Sequence, residues 1–115
     1  MYAAEKHWLP ALEVARRLIE VAPEIPTGWI NQSYTLHEMR LTQEARNQLL
    51  AVADKFSSVG TVAYNLACYA CQLGNLEEAR QWLAKAVKTV GREEIKRMAL
   101  SDSDLQPMWG EIHKL

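Results

Sequence analysis

"NLEEARQWLAKAV", Asn75 to Val87, decides the fold, because the chain contains it twice more in altered form. Laid on "LTQEARNQLLAVA", Leu41 to Ala53, it pairs Glu78-Ala79-Arg80 with Glu44-Ala45-Arg46, Leu83 with Leu49 and Ala86 with Val52, all at one constant offset. A further step of the same length back from Ala45 lands on Ala11, with Trp8 in the place of Leu76 and Ala15 in the place of Leu83. Each copy has apolar or small residues at three- and four-residue spacing among Glu, Lys, Arg and Gln, the pattern of an amphipathic helix. A fixed period of this length is the mark of a repeat architecture.

The segments between the copies are helical too. From Ala11 the apolar stripe runs through Leu12, Ala15, Leu18, Ile19 and Ala22 and stops where Pro23 and Pro26 forbid continuation. The next helix starts near Thr27, with a stripe of Trp29, Ile30, Ser33, Leu36 and Met39, and ends around Arg40. "LTQEARNQLLAVADKF" begins another with Thr42 as an N-cap candidate, and Ser57, Ser58 and Gly60 break it. A fourth helix spans Thr61 to Leu73, and Gly74-Asn75 supplies the left-handed turn. The fifth follows, with acids in its first turn and lysines in its last, and Gly91 closes it. No segment alternates with period two, so no strand is predicted.

Helix pairs that recur at the step from Ala45 to Ala79 resemble the tetratricopeptide repeat family, and the third unit carries the resemblance best. Its positions 7, 8, 11, 15, 17, 20, 24 and 27 fall on Leu66, Ala67, Ala70, Gly74, Leu76, Ala79, Leu83 and Ala86, while Ala63 replaces the initial aromatic and Gly91 the final proline. The second unit supplies Trp29, Ser33, Leu36, Ala45, Leu49 and Val52, with Gln32 and Ser57 as departures. The first keeps only its second helix, since Met1 to Lys6 is too short for a full preceding one. The resemblance implies an all-α fold of antiparallel helix pairs stacked as a short right-handed α-solenoid. The chain then divides into a half repeat at 7–23, repeats at 27–57 and 61–91, and a degenerate repeat or cap at 92–115, within a single domain 1–115. In the cap, Leu105, Met108, Trp109 and Ile112 share one stripe, with Asp104 as N-cap or first-turn acid.

Chain length and charge narrow the function. The 115 residues carry 13 basic and 14 acidic side chains, interspersed, for a net charge of −1. No basic face offers itself to nucleic acid and no polybasic patch to a membrane. The N-terminus is charged within six residues and broken by Pro10, leaving neither a signal-peptide core nor a span of roughly 20 apolar residues. These features and two free thiols predict a soluble, cytoplasmic protein.

Candidate chemistry is sparse. Cys68-x-x-Cys71 sits in mid-helix, without a second pair, and His7, His37 and His113 are scattered, so neither a redox motif nor a four-ligand zinc site is complete. His37-Glu38 meets Leu41 where a zinc-protease helix needs a second His. No phosphate loop or nucleophile elbow is present, and Glu77-Glu78, Glu93-Glu94 and Asp102 with Asp104 lie where helix N-termini favour acids. Trp8, Trp29 and Trp109 occupy core stripes. No catalytic residue, cofactor or metal is expected.

Binding by shape remains, and here the resemblance supplies the residues. In the family the first helix of each unit lines a concave groove. Carried over, the groove positions are Thr27, Ile30, Asn31, Tyr34, His37 and Glu38 in the second unit and Thr61, Tyr64, Asn65, Cys68, Cys71 and Gln72 in the third. The lining is neutral and partly aromatic, and lacks the Lys and Arg with which chaperone-binding members grip a carboxylate. The expected function is a non-catalytic scaffold for an extended or helical apolar segment of another protein. The alternative is a self-associating module of a larger assembly, as a homodimer or within it.

Overall fold

Proline sets the first boundary. The structure, a computed structural model, describes residues 2–115, with side chains from residue 8 onward. Its first helix, α1 (Tyr2–Val21), stops just before Pro23, and α2 (Pro26–Glu38) starts on Pro26, where a missing N–H costs nothing. One feature differs from the sequence expectation: α1 runs straight through Pro10. The interruption costs about 3 kcal/mol locally, but Leu12 and Ala15 beyond it are buried, and that burial carries the helix on.

The remaining long helices are α3 (Thr42–Leu50), α4 (Gly60–Gln72) and α5 (Leu76–Val90). The period of the sequence reappears in their bounds: α4 starts and ends one period after α2, and α5 starts one period after α3. The turns between them recur as well. Arg40 and Gly74 both adopt the left-handed conformation, with φ of 68° and 83°. Leu41 N donates to Leu36 O at 2.8 Å and Asn75 N to Ala70 O at 2.9 Å, while Arg40 N donates to His37 O at 2.9 Å and Gly74 N to Cys71 O at 3.0 Å. Each set is a Schellman ending, which satisfies the last carbonyls of the helix. The helices that follow are capped differently. Asn75 accepts from Glu78 N at 3.2 Å, whereas Thr42 lies inside α3 as its first residue and its hydroxyl is 2.9 Å from His37 Nδ1. Leu41 holds the N-cap position that Thr42 was expected to fill.

The chain forms two compact units, 1–56 and 57–115. In the first, α1 packs on α2 and α2 on α3. Gly28 is the point of close approach: a Cβ there would stand 3.0 Å from Ile19 Cγ1 and 3.3 Å from Ala15 O. Ser33, Leu36, Ala45 and Leu49 are buried in this unit, and Trp29 Nε1 donates to Pro23 O at 3.0 Å. α3 ends at Leu50 instead of running on to Phe56. Residues 51–58 continue as turns, with Val52 N and Ala53 N bonding three residues back, and Ala53 and Phe56 still buried. α5, in contrast, stays regular to Val90.

In the second unit α4 packs along α5, and both helices bury small residues: Ala63, Ala67 and Ala70 on one, Ala79 and Ala86 on the other. Small side chains let helix axes approach closely. Beyond α5 come α6 (Arg92–Leu100), a 3₁₀ helix (Ser103–Met108) and the short α7 (Trp109–Ile112). Asp102 caps the 3₁₀ helix, accepting from Asp104 N at 3.0 Å, so the capping acid is Asp102 and Asp104 is the first-turn acid. Leu105, Met108 and Ile112 are buried as their stripe predicts, and half-buried Trp109 donates through Nε1 to Ala99 O at 2.8 Å. The described residues contain no strand, and none of their helices is long and apolar enough to cross a membrane.

Candidate functional site

The candidate binding residues form one stripe on α2 and another on α4, and the two stripes meet different fates. On α2, Thr27, Asn31, Tyr34 and Glu38 are exposed, Tyr34 by 51%, and Ile30 and His37 are half-buried. Spacings of three and four residues put them on one face. His37 is held by Thr42 across the turn, which fixes its ring beside the start of α3.

On α4 the stripe is covered from within the same unit. Only Thr61 and Gln72 are exposed; Asn65 is half-buried, and Tyr64, Cys68 and Cys71 retain 7%, 4% and 4% of their surface. The 3₁₀ helix packs on α4. Tyr64 Oη donates to Asp102 Oδ2 at 2.8 Å, Cys68 Sγ lies 3.7 Å from the same oxygen, and Gln72 Nε2 donates to Asp104 O at 2.8 Å. The expectation of an open, partly aromatic surface at Tyr64, Cys68 and Cys71 is therefore corrected: the C-terminal segment lies over them. The cause is Asp102, which caps the 3₁₀ helix that packs on α4 and buries Leu105 and Met108.

This packing sets the electrostatics of the thiols. Burial, then the neighbouring Asp102 and Asp104, push the Cys68 thiol far above its ordinary value of 9.0. Burial first, then Cys68 and Asp102, do the same to the Tyr64 hydroxyl. Cys71 is raised too, by burial and then by Asp104 and Glu111. Thiolate is the form that attacks electrophiles or binds metals, and this environment suppresses it. Cys68, Asp102 and Asp104 place donor atoms within 4.8 Å of one another. Both Asp102 oxygens already accept hydrogen bonds, from Tyr64 and from Asp104 N, so the cluster is satisfied by the protein itself.

Asp102 and Asp104 were read from the sequence only as helix-N-terminal acids, not as site candidates. Cys68 and Asp102 are 34 residues apart in the chain. A second missed feature joins α5 to α7: Arg80 donates to Glu111 through Nε at 2.7 Å and Nη2 at 2.9 Å. The hydrogen bond from Arg80 holds the Glu111 carboxyl below its usual range. The pair borders an apolar cavity of about 310 Å³ between these helices, lined by Leu83, Val87, Met108, Ile112 and Leu115. Set against models of protein families, curated proteins and solved structures, the chain matches none of them.

Proposed function

We propose that the chain is a tetratricopeptide-like scaffold that binds an apolar segment of another protein and catalyses no reaction. The observation that carries this reading is the recurrence of a whole helix-turn-helix unit after one period, down to the left-handed residue and the hydrogen bonds of its turn. In this reading the pairs belong to a short right-handed α-solenoid, whose units complete one another's apolar faces. The binding surface is the stripe on α2, where Ile30 and Tyr34 offer apolar and aromatic area between the polar groups of Thr27, Asn31 and Glu38. The corresponding stripe on α4 carries the chain's own C-terminal segment. The α2 stripe has no Lys or Arg, so it suits a neutral or apolar segment better than a terminal carboxylate.

Ile30→Asp with Tyr34→Asp tests the reading, since both side chains retain solvent exposure and the alanine contacts are untouched. The expected result is an unchanged helical melt and an unchanged mass by light scattering, with loss of the proteins that the wild-type chain captures. A wild-type dimer that becomes monomer on substitution supports the self-associating module instead. A variant that keeps both its mass and its captured proteins refutes the α2 stripe as the functional surface.

A further inference from the structure

We infer that the first unit holds a binding site for a small aromatic monocarboxylate, in the cleft lined by α1, α2 and the end of α3. The residue that points to it is Gln32. It stands one period before Leu66, where the repeat calls for leucine, and Leu66 is fully buried. Gln32 is buried almost as deeply, with 6% of its surface left. An amide in such a place needs partners for both of its ends. Oε1 has one, accepting from Arg16 Nε at 3.4 Å, but among the described residues the NH2 group finds no acceptor. No fully enclosed side-chain N or O atom among these residues lacks a partner, so the NH2 keeps some of the surface that Gln32 has left and turns it to the cleft that Gln32 lines.

The cleft has a volume of about 440 Å³, within the range of small-molecule sites. Arg16 lines it beside Gln32, and its guanidinium, held to the amide through Nε, makes no ion pair among the described residues. A guanidinium and an amide NH2 side by side offer hydrogens and no lone pair, which selects a carboxylate that takes a bond on each oxygen. The rest of the lining suits an apolar body: Ile19, Ala51 and the ring of Trp29, whose Nε1 is already spent on Pro23 O. Glu20 on the rim opposes a second negative charge, which limits the ligand to one. A peptide terminus would bring main-chain N–H and C=O groups that Ile19, Trp29 and Ala51 cannot pair, so a free small acid is the occupant that fits. Trp29 and Gln32 lie outside the stripe of Thr27, Ile30, Asn31, Tyr34 and Glu38, and the site stands apart from the reading proposed for it.

The test titrates the full chain with phenylacetate and with its neutral amide, phenylacetamide, and follows the side-chain NH2 resonances of Gln32 by NMR, assigned by their loss in Gln32→Leu. Phenylacetate at millimolar concentration should shift these resonances saturably, and phenylacetamide should bind at least about tenfold more weakly. Arg16→Met, which keeps the stem and removes the donors, and Gln32→Leu should each weaken phenylacetate binding by a similar factor in calorimetry. Gln32→Leu restores the residue of the third unit, so its urea midpoint should match or exceed that of wild type. Tyr34→Asp, on the α2 stripe, should leave binding intact. No saturable shift at Gln32, equal binding of acid and amide, or binding indifferent to both substitutions overturns the inference. An acetylated peptide ending in phenylalanine that binds more tightly than phenylacetate also overturns it, because a chain terminus is then the occupant.

Discussion

The Tyr64 hydroxyl donates to Asp102 Oδ2 at 2.8 Å, tying the middle of α4 to a turn 38 residues further along the chain. The same carboxylate caps the 3₁₀ helix, so one side chain both starts the C-terminal segment and fastens it. Tyr64→Phe removes the fastening and leaves the cap; a hydrogen bond to a charged group supports a cost of about 1–2 kcal/mol. Hydrogen exchange should show the amides of 103–112 losing protection before those of α5. Asp102→Asn, whose Oδ1 can still accept from Asp104 N while its amide NH2 donates to the Tyr64 hydroxyl, should lose less. Equal protection in wild type and Tyr64→Phe would show that apolar packing alone holds the segment.

Alkaline solution tests the same cluster from its thiol. In the native state burial, then Asp102 and Asp104, raise the Cys68 thiol above the 9.0 of an unfolded chain. Below that value both states hold the proton and stability is unaffected. Above it the unfolded chain ionises and the native one does not, so stability falls, by about 1.4 kcal/mol per pH unit for each such group. Tyr64 adds its share above 10.0. Urea midpoints between pH 9.0 and 10.0 should therefore drop less steeply in Cys68→Ala than in wild type. Parallel slopes would count against a thiol held protonated by the fold.

What could be read from the sequence was what repeats. Buried Ala45, Ala79 and Ala86 and the stripe of Leu105, Met108 and Ile112 are visible as spacing, because buried crossings demand small or apolar side chains whatever the neighbours are. Three features resisted. Pro10 forecasts a break, but the buried arc of α1 outweighs one lost hydrogen bond. Val52 looks helical by register, yet the chain leaves regular helix at Leu50, whereas α5 continues past its equivalent residue, Ala86. The covering of Cys68 by Asp102 is a contact between residues far apart in the chain, which no local pattern specifies.

Arg40 in the left-handed turn is legible only through its partner in register, Gly74. A side chain in that conformation costs about 1–2 kcal/mol, and replacing it by glycine gives back about 0.5–1 kcal/mol of unfolded-state entropy. Arg40→Gly should therefore stabilise the protein by about 0.5–1 kcal/mol, and Gly74→Ala should destabilise it by about 1 kcal/mol. Urea denaturation of the two variants measures both. If Arg40→Gly is destabilising, the Arg40 side chain makes contacts worth more than the strain.

The strongest comparison the repeat permits is one substitution at two equivalent positions. Ala79 is fully buried on α5, which packs against α4, while Ala11, two periods earlier, is exposed on α1. Ala79→Leu inserts three carbons into a close-packed crossing and should cost about 1–3 kcal/mol. Ala11→Leu adds them where nothing stands in the way and should change stability by less than about 0.5 kcal/mol. Helix propensity cannot produce the difference, because the residue types exchanged are identical and both sites lie within helices. Chemical denaturation of the two variants decides it. Equal losses would mean that the shared register reflects composition alone, and that the crossing at Ala79 is looser than its burial indicates.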